Sequence, residues 1–489
     1  MANMDSEDQE QKAALVPKGW VASAEAADLE SAEKVPQQSA AASPDRVYYI
    51  DWLRVMAVYL VVVFHSIQAC TAIHLWEETS SSKRAIIAFR STCLQFGIPL
   101  FFQIAGRARA LAKPKGIFES VVTRGLRLVP PLLIGWAFLV VPFWQFPYIP
   151  TEHEDAPTSF LPFLHWFFKP GHFIFTLSWL WFLPVLFCVE VAALPFVLFA
   201  DHKSPLAGLA AMTVLLGLCA FGYFLCGLGL IFCMFLLLGP CFALALVLLV
   251  DVPQAGVRRT PWRPSHWMAV HGLTLVMMAS QVGMVCSFGY ADLAKAHADP
   301  MTPAIVMFFE FYLLGFFLQR WGQDPTDILL APSTSEPVGL LKAAKLITAM
   351  LPAAYVVGIC AGASTGDWEA GLFPIYSASY SGGAYFAAMY VIGTWSGIGL
   401  SVPGVRGMSD MEVDPSIYRH MTGSAIVVYV FHYAFIQSFA YWGLLANGLT
   451  FGVWKVLSPL LLFTFGLGGP LCVYALMTRC KILGKLFGV

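Results

Sequence analysis

The sequence predicts an all-α fold, a polytopic membrane helix bundle of about 10–12 transmembrane helices. Composition is the first reason, because 58% of the residues are hydrophobic and 12% are charged, whereas a soluble domain carries about 25% charged residues. The second reason is a series of long apolar runs, since about 20 such residues cross a bilayer. The third is an uneven distribution of lysine and arginine between successive loops.

The apolar runs follow one another along most of the chain. The fifth and sixth runs meet near Gly227 in a very short joint, so they are the least secure pair. The total falls to about ten if a weak run is re-entrant or interfacial. The predicted spans are residues 48–70, 86–106, 127–147, 174–199, 205–225, 228–250, 267–289, 302–320, 339–362, 378–401, 421–443 and 451–477.

Lysine and arginine residues favour a topology with both termini in the cytoplasm. With the N-terminal tail inside, 22 of the 29 Lys and Arg residues fall on the cytoplasmic side, as the positive-inside rule requires. Residues 1–46 are predicted to be a disordered polar tail, 47–480 the membrane domain and 481–489 a short basic cytoplasmic end. The chain is therefore expected to be a multi-pass integral membrane protein in a lipid bilayer whose identity the sequence leaves open.

Composition also excludes several classes of partner and cofactor. A net charge of −1 argues against a nucleic-acid partner. The eleven cysteines are scattered, without zinc-binding spacing, so no metal site is predicted. Neither a P-loop nor a dinucleotide fingerprint is present, and no bound cofactor is expected. The oligomeric state is not predicted.

The most informative feature is a pair of ionisable residues, Arg54 and His65, in the first apolar run. A charged residue within a span costs about 2.5–3.5 kcal/mol on insertion scales and is usually kept for function. Eleven residues are close to three helical turns, so both side chains lie on one face, about 16 Å apart. His65 is predicted to be a general base, the alternative being a hydrogen-bonded core histidine. Arg54 either binds a substrate phosphate or carboxylate, or lies at the interface and pairs with Asp51.

Other ionisable residues extend this candidate site. Arg124 and Arg127 are neighbours on a helix and form a fork suited to phosphate, with anchoring to the cytoplasmic side as the alternative. Glu190 is expected at a depth comparable with Arg54, where an ion pair between them is geometrically allowed. His432 lies mid-span, either as a second histidine of the site or as an interhelical hydrogen-bonding group.

Six motifs occur in a fixed order, and together they are more specific than any one of them. They are Arg54-x10-His65, Phe96-Gly-Ile-Pro99, Arg124-x-x-Arg127, Leu180-Trp181-Phe182-Leu183, Phe311-Tyr-Leu-Leu-Gly315 and Val430-Phe-His432. In these motifs the chain resembles the acyltransferase-3 family of multi-pass membrane O-acyltransferases, closest to its glucan-succinylating branch, the glucans biosynthesis protein C type. The likeness covers roughly residues 47–440. It departs from the family at Ala105-Gly106, where Ser-Gly is common, and in the span count, which is usually ten.

The resemblance implies an acyl-CoA-dependent O-acyltransferase. An acetyl or succinyl group would pass from cytoplasmic acyl-CoA, the co-substrate, to a hydroxyl of a carbohydrate-type acceptor on the far side. His65 would then be the catalytic histidine and Arg54 would position the donor, while Arg124 and Arg127 would bind the donor's phosphates. Substrate binding is also assigned to Trp181, Glu190 and His432. Whether His65 transiently carries the acyl group stays open.

A transporter or exporter of a small molecule or glycan is the alternative function. Twelve spans with both ends inside, and intramembrane Arg, His and Glu residues, also suit a proton-coupled carrier. Against it, the loop after the second span lacks the charge pattern typical of major-facilitator carriers, and no repeat of two halves is apparent.

Overall fold

The all-α prediction is confirmed. In a computed structural model of the protein, the regular elements of the described residues are all helical. The structure describes residues 48–72, 81–112, 116–140, 178–202, 205–224, 230–249, 264–290, 301–321, 391–402, 405, 414–445, 447–449, 453–480, 484 and 486–487. The predicted span 339–362, the larger part of 378–401 and the predicted tail 1–46 lie outside these residues.

Eleven α-helices are described, and we number them in chain order. A 3₁₀ turn, Ser178–Trp181, precedes the fourth helix, and π-helical turns, Trp136–Val140 and Phe439–Leu445, extend the third and tenth. The helices are α1 Tyr48–Ala72, α2 Ser81–Leu111, α3 Ile117–Gly135, α4 Phe182–His202, α5 Pro205–Phe224, α6 Leu230–Leu249, α7 Pro264–Tyr290, α8 Met301–Arg320, α9 Val391–Val402, α10 Pro415–Ser438 and α11 Trp454–Arg479.

Five helical segments are long and apolar enough to cross a membrane. The two insecure runs on either side of Gly227 form separate helices, α5 and α6. The total number of spans and the cytoplasmic placement of the termini stay predictions. The five segments are Tyr48–Cys70, Ile117–Val140, Trp179–Asp201, Pro415–Leu445 and Val456–Arg479.

The third helix begins ten residues earlier than the predicted span. Residues 107–127 were expected to be a cytoplasmic loop, but α2 continues to Leu111 and α3 starts at Ile117. No proline lies between Ile117 and Arg127, and the single glycine there, Gly125, does not interrupt the helix, so the chain stays helical through its charged residues. Arg124 and Arg127 therefore lie on one helix, as their three-residue spacing predicts.

Helices α2 and α8 make the closest crossing in the described bundle. A Cβ atom on Gly106 would lie 2.0 Å from the backbone oxygen of Tyr312, and one on Gly315 would lie 2.1 Å from that of Gln103. Each glycine thus lets the backbone of one helix touch the other, as small residues do in membrane bundles. Because α2 carries Arg107 and Arg109 into this crossing, both guanidinium groups are buried.

A buried ion pair joins α4 to α8. Arg320 Nη2 lies 2.5 Å from Asp201 Oδ1, and both side chains are less than a tenth exposed. Removing one partner of such a pair typically costs about 3–5 kcal/mol, because the other charge remains buried. This pair places the end of α8 beside the helix that carries Glu190.

Helix α1 lies at the centre of the candidate site, because it packs against α2, α10 and α11. The 3₁₀ turn before α4 forms two hydrogen bonds with α10. Trp179 Nε1 donates to the Val430 carbonyl at 2.9 Å, and the Tyr429 hydroxyl donates to the Trp179 carbonyl. These contacts bring the Trp-containing turn, α1 and α10 together.

Candidate active site

Two residues of α1 define the two ends of the site. Arg54 lies in the second turn of the helix, and His65 follows eleven residues later, so one rigid element fixes their separation at about three turns. Both side chains are half-buried.

At the histidine end, His65 faces a second histidine. The ring centroids of His65 and His432 lie 5.1 Å apart, and Tyr433 approaches His65 edge-on at 4.7 Å. His65 Nδ1 lies 2.9 Å from Gln68 Oε1, one helical turn further along α1. Since an amide oxygen can only accept, Nδ1 carries the proton and Nε2 is the basic nitrogen. In this tautomer the unprotonated nitrogen of His65, available to accept a proton, is Nε2.

His432 is completely buried and its tautomer is also fixed. Its Nδ1 contacts the carbonyl oxygens of Tyr429 at 2.7 Å and Val428 at 3.1 Å. Carbonyl oxygens do not donate, so Nδ1 must be protonated and the neutral ring presents a lone pair on Nε2. This Nε2 has no hydrogen-bond partner among the described residues. A buried acceptor without a donor, next to His65, is suited to receive a hydroxyl group.

Aromatic rings form one wall of the histidine end. Trp179 lies 4.6 Å from Tyr433, which in turn contacts His65. Trp181 was predicted to bind substrate, but its ring neighbours are Phe308 at 6.0 Å and Phe182 at 6.3 Å. The structure therefore brings Trp179 close to the histidines, two residues before the one singled out. The sequence carried no signal to choose between two tryptophans in the same motif.

At the arginine end, Arg54 pairs with its own helix. Arg54 Nη1 lies 3.2 Å from Asp51 Oδ1, the pairing that the three-residue spacing allows. The Tyr418 hydroxyl of α10 donates to the other oxygen of Asp51. Sequence reasoning missed Tyr418, although Asp414 before Pro415 is a recognisable helix start that places α10 six residues earlier than the predicted span. Tyr418 thus fixes the Asp51 carboxylate that orients Arg54.

Glu190 pairs with Arg124 rather than with Arg54. Arg124 Nη1 lies 3.4 Å from Glu190 Oε1, where Glu190 is 5% exposed and Arg124 25% exposed. The other oxygen of Glu190 has no hydrogen-bond partner within the described part of the chain. The Arg54–Glu190 pair that the sequence allows is therefore not formed. Arg54 is paired with Asp51 on its own helix. Helix α3 packs on α4 and places Arg124 next to Glu190.

Arg127 is exposed and lies within electrostatic reach of Arg54 and Arg124. Two carboxylates, Asp51 and Glu190, act on the same group of arginines. Arg109 also acts on Glu190, so four arginines face two carboxylates and leave two net positive charges. An anion at this end would relieve the repulsion between the guanidinium groups.

A small pocket opens beside this arginine cluster. Arg109, Arg124, Glu190 and Tyr312 line it, and it is shallow and partly open to the outside. Arg109 Nη2 donates to Ser120 Oγ at 3.4 Å, which ties α2 to the first turn of α3. In the described residues, no group of three His, Cys, Asp or Glu side chains is arranged to hold a metal ion. The chemistry available here is therefore that of cations, a carboxylate and hydroxyl groups.

The helices and the site define the class of protein. Several apolar membrane-length helices, with ionisable groups held between them, are those of a multi-pass integral membrane protein. The chain belongs to the acyltransferase-3 family, since the model of the family's acyltransferase domain matches residues 47–479. No curated protein and no solved structure gave a significant match. The protein is a membrane acyltransferase, and family membership favours the enzyme over the transporter.

Proposed function

We propose that the protein transfers an acyl group from acyl-CoA to a hydroxyl of a carbohydrate-type acceptor, with His65 as general base. The observation that carries this proposal is the arrangement along α1. A cluster with excess positive charge surrounds Arg54, and a pair of histidines, the half-buried His65 and the buried His432, lies at the other end. One end suits a polyanionic donor, and the other suits a neutral alcohol.

The arginine end is proposed to bind the phosphates of the donor. Arg127 is the best placed residue, because it is exposed while Arg124 is engaged with Glu190 and Arg54 with Asp51. In CoA the flexible pantetheine arm separates the phosphates from the thioester. The donor would therefore lie along α1, with its phosphates at the arginines and its thioester near His65. With the arginines at the cytoplasmic surface, acyl-CoA would enter from the cytoplasm.

The histidine end is proposed to carry out the transfer. Nε2 of His65 takes the proton of the acceptor hydroxyl as its oxygen attacks the thioester carbonyl. The new C–O bond forms, the C–S bond breaks, and the proton passes from His65 to the leaving thiolate. His432 Nε2 would accept a second hydroxyl of the acceptor, which orients it. A carbohydrate offers such neighbouring hydroxyl groups, and the rings of Trp179 and Tyr433 offer apolar faces for a sugar.

The acyl group is proposed to be acetyl or succinyl. The likeness of the motifs to the glucan-succinylating branch favours succinyl, whose free carboxylate requires a further cation. That cation would lie near the histidine end, because the succinyl carboxylate is only a few bonds from the thioester carbonyl.

The test is acyl transfer by the purified protein in lipid vesicles. Labelled acetyl-CoA and succinyl-CoA are supplied with a glycan acceptor, and both CoA release and the acylated product are measured, the product by mass spectrometry. His65→Ala is expected to lower the rate about 10²–10⁴-fold, the usual contribution of a general base. His420→Ala is the matched control, because His420 is exposed on α10 and contacts Tyr474 instead. Full activity of a folded His65→Ala protein would contradict the proposal.

A further inference from the structure

A buried carboxyl group, Glu310, lies outside the candidate active site. It is on α8, has no exposed surface, and contacts α7 through Ser280. Gly239 on α6 makes room for it, because a Cβ atom there would lie 2.6 Å from Glu310 Oε1. Gln281 adjoins the same carboxyl group and accepts a hydrogen bond from Trp395 of α9 at 3.0 Å. Four helices thus meet around one carboxyl group.

The contacts of Ser280 determine how many protons this cluster contains. Ser280 Oγ lies 2.5 Å from the carbonyl oxygen of Phe235 and 2.7 Å from Glu310 Oε1. The hydroxyl has one hydrogen, and a carbonyl oxygen has none to give. With an ionised Glu310, one of the two contacts would place two lone pairs against each other. With a proton on Glu310, the carboxylic acid donates to Ser280, and Ser280 donates to Phe235.

The charges around Glu310 also favour its protonated, neutral state. The described residues that interact with Glu310 are Ser280 and Gln281. Both are neutral, and no cation is among them. Helices α6 and α9 contain no acidic, basic or histidine residue, and on α7 the nearest histidine, His271, is nine residues from Ser280, or roughly 13 Å. On the other two neighbouring helices, α2 and α4, four charged side chains have partners elsewhere: Arg107 contacts Tyr49, Arg109 contacts Ser120, Glu190 contacts Arg124 and Asp201 contacts Arg320. The remaining charged or histidine residues are Lys83, Arg84 and Arg90 near the start of α2 and His202 at the end of α4.

An isolated buried carboxylate is strongly disfavoured, since burial without a partner costs several kcal/mol and a neutral acid avoids that cost. From the proton count and the missing counter-charge we propose that Glu310 is a proton-binding site, a neutral carboxylic acid at neutral pH whose proton links α6, α7 and α8. Loss of that proton would break the Phe235 contact or the Glu310 contact of Ser280. This inference is independent of the proposed acyl transfer.

Infrared spectroscopy of the intact protein in lipid vesicles tests this proposal, because a protonated carboxylic acid has a carbonyl band that a carboxylate lacks. At neutral pH the wild type is expected to show such a band, and Glu310→Gln is expected to lose it while staying folded. Glu119→Gln is the matched control, since Glu119 is exposed at the start of α3 and its removal should leave the band unchanged. A wild-type spectrum without an acid band, or a band that Glu310→Gln retains, would overturn the proposal.

A second variant covers the case in which Glu310→Gln does not fold. Ser280→Ala keeps the carboxyl group and removes the acceptor of its proton, so the acid band is expected to shift. An unshifted band would assign the proton to another residue and overturn the proposal. Acyl transfer is measured on the same wild-type sample; an acid band without any acyl transfer would overturn the active-site proposal and leave the Glu310 proposal intact.

Discussion

Arg124 and Arg127 lie three residues apart on α3, yet the structure predicts opposite consequences for their removal. Arg124 is paired with the buried Glu190, whereas Arg127 is exposed and contributes to the excess charge of the cluster. We expect Arg124→Gln to act on stability and Arg127→Gln to act on donor binding. The two variants remove the same charge from the same helix, so each serves as a control for the other.

The stability loss of Arg124→Gln follows from the geometry of the pair. At the observed 3.4 Å, the attraction between two unit charges is about 5 kcal/mol in a medium of effective dielectric constant about 20. Removing one partner of a buried pair typically costs about 3–5 kcal/mol. Arg109 and Arg127 still act on Glu190, so we expect the lower end, about 3 kcal/mol. Arg124→Gln combined with Glu190→Gln should recover part of this loss, because no buried charge is left unpaired.

Arg127, rather than Arg124, is expected to determine the affinity for the donor. A charge-assisted hydrogen bond contributes about 1.5–3 kcal/mol, so Arg127→Gln should raise the KM for acyl-CoA about tenfold or more with little change in stability. The free energy of unfolding is measured in mixed detergent micelles, and KM by CoA release. Arg419→Gln, an exposed arginine on α10, controls for loss of surface charge. Equal destabilisation by Arg124→Gln and Arg127→Gln, or a raised KM for Arg124→Gln alone, would refute this reasoning.

Three further outcomes are expected. His432→Phe should keep the fold, because the site is apolar, and raise the KM for the acceptor more than that for the donor; an unchanged acceptor KM in steady-state kinetics would exclude its role. Gly106→Leu should prevent the close crossing of α2 and α8 and lower the folded yield in membranes far more than Gly97→Leu, a position with open space around it. The pKa of Asp414 is lowered by hydrogen bonds from the Ser416 hydroxyl and N–H, so this cap stabilises α10 above the ordinary pKa of an aspartate and is lost as pH falls through the folded pKa. Thermal unfolding of Asp414→Ala should therefore differ from wild type at neutral pH and converge with it in acid.

Much of the fold could be predicted from sequence, because hydrophobic length is a local property. Apolar runs of about 20 residues specify membrane helices wherever they occur, and α5 and α6 are separate helices despite the short joint near Gly227. Local rules worked less well at helix ends that carry charge. The start of α3 at Ile117 was missed because the predicted span begins where the apolar run begins, whereas the helix also includes the charged residues before it, and arginine is a good helix former.

The sequence by itself determined that this is a membrane helix bundle and that Arg54 and His65 share one helix at a separation of three turns. A helix repeat and a count of eleven residues are enough for that. Only the tertiary structure determined which residues of different helices pair with one another. Glu190 meets Arg124 and not Arg54, His432 meets His65 across α1 and α10, and Tyr418 holds Asp51. Such contacts depend on how helices pack, which residue spacing within one helix does not encode.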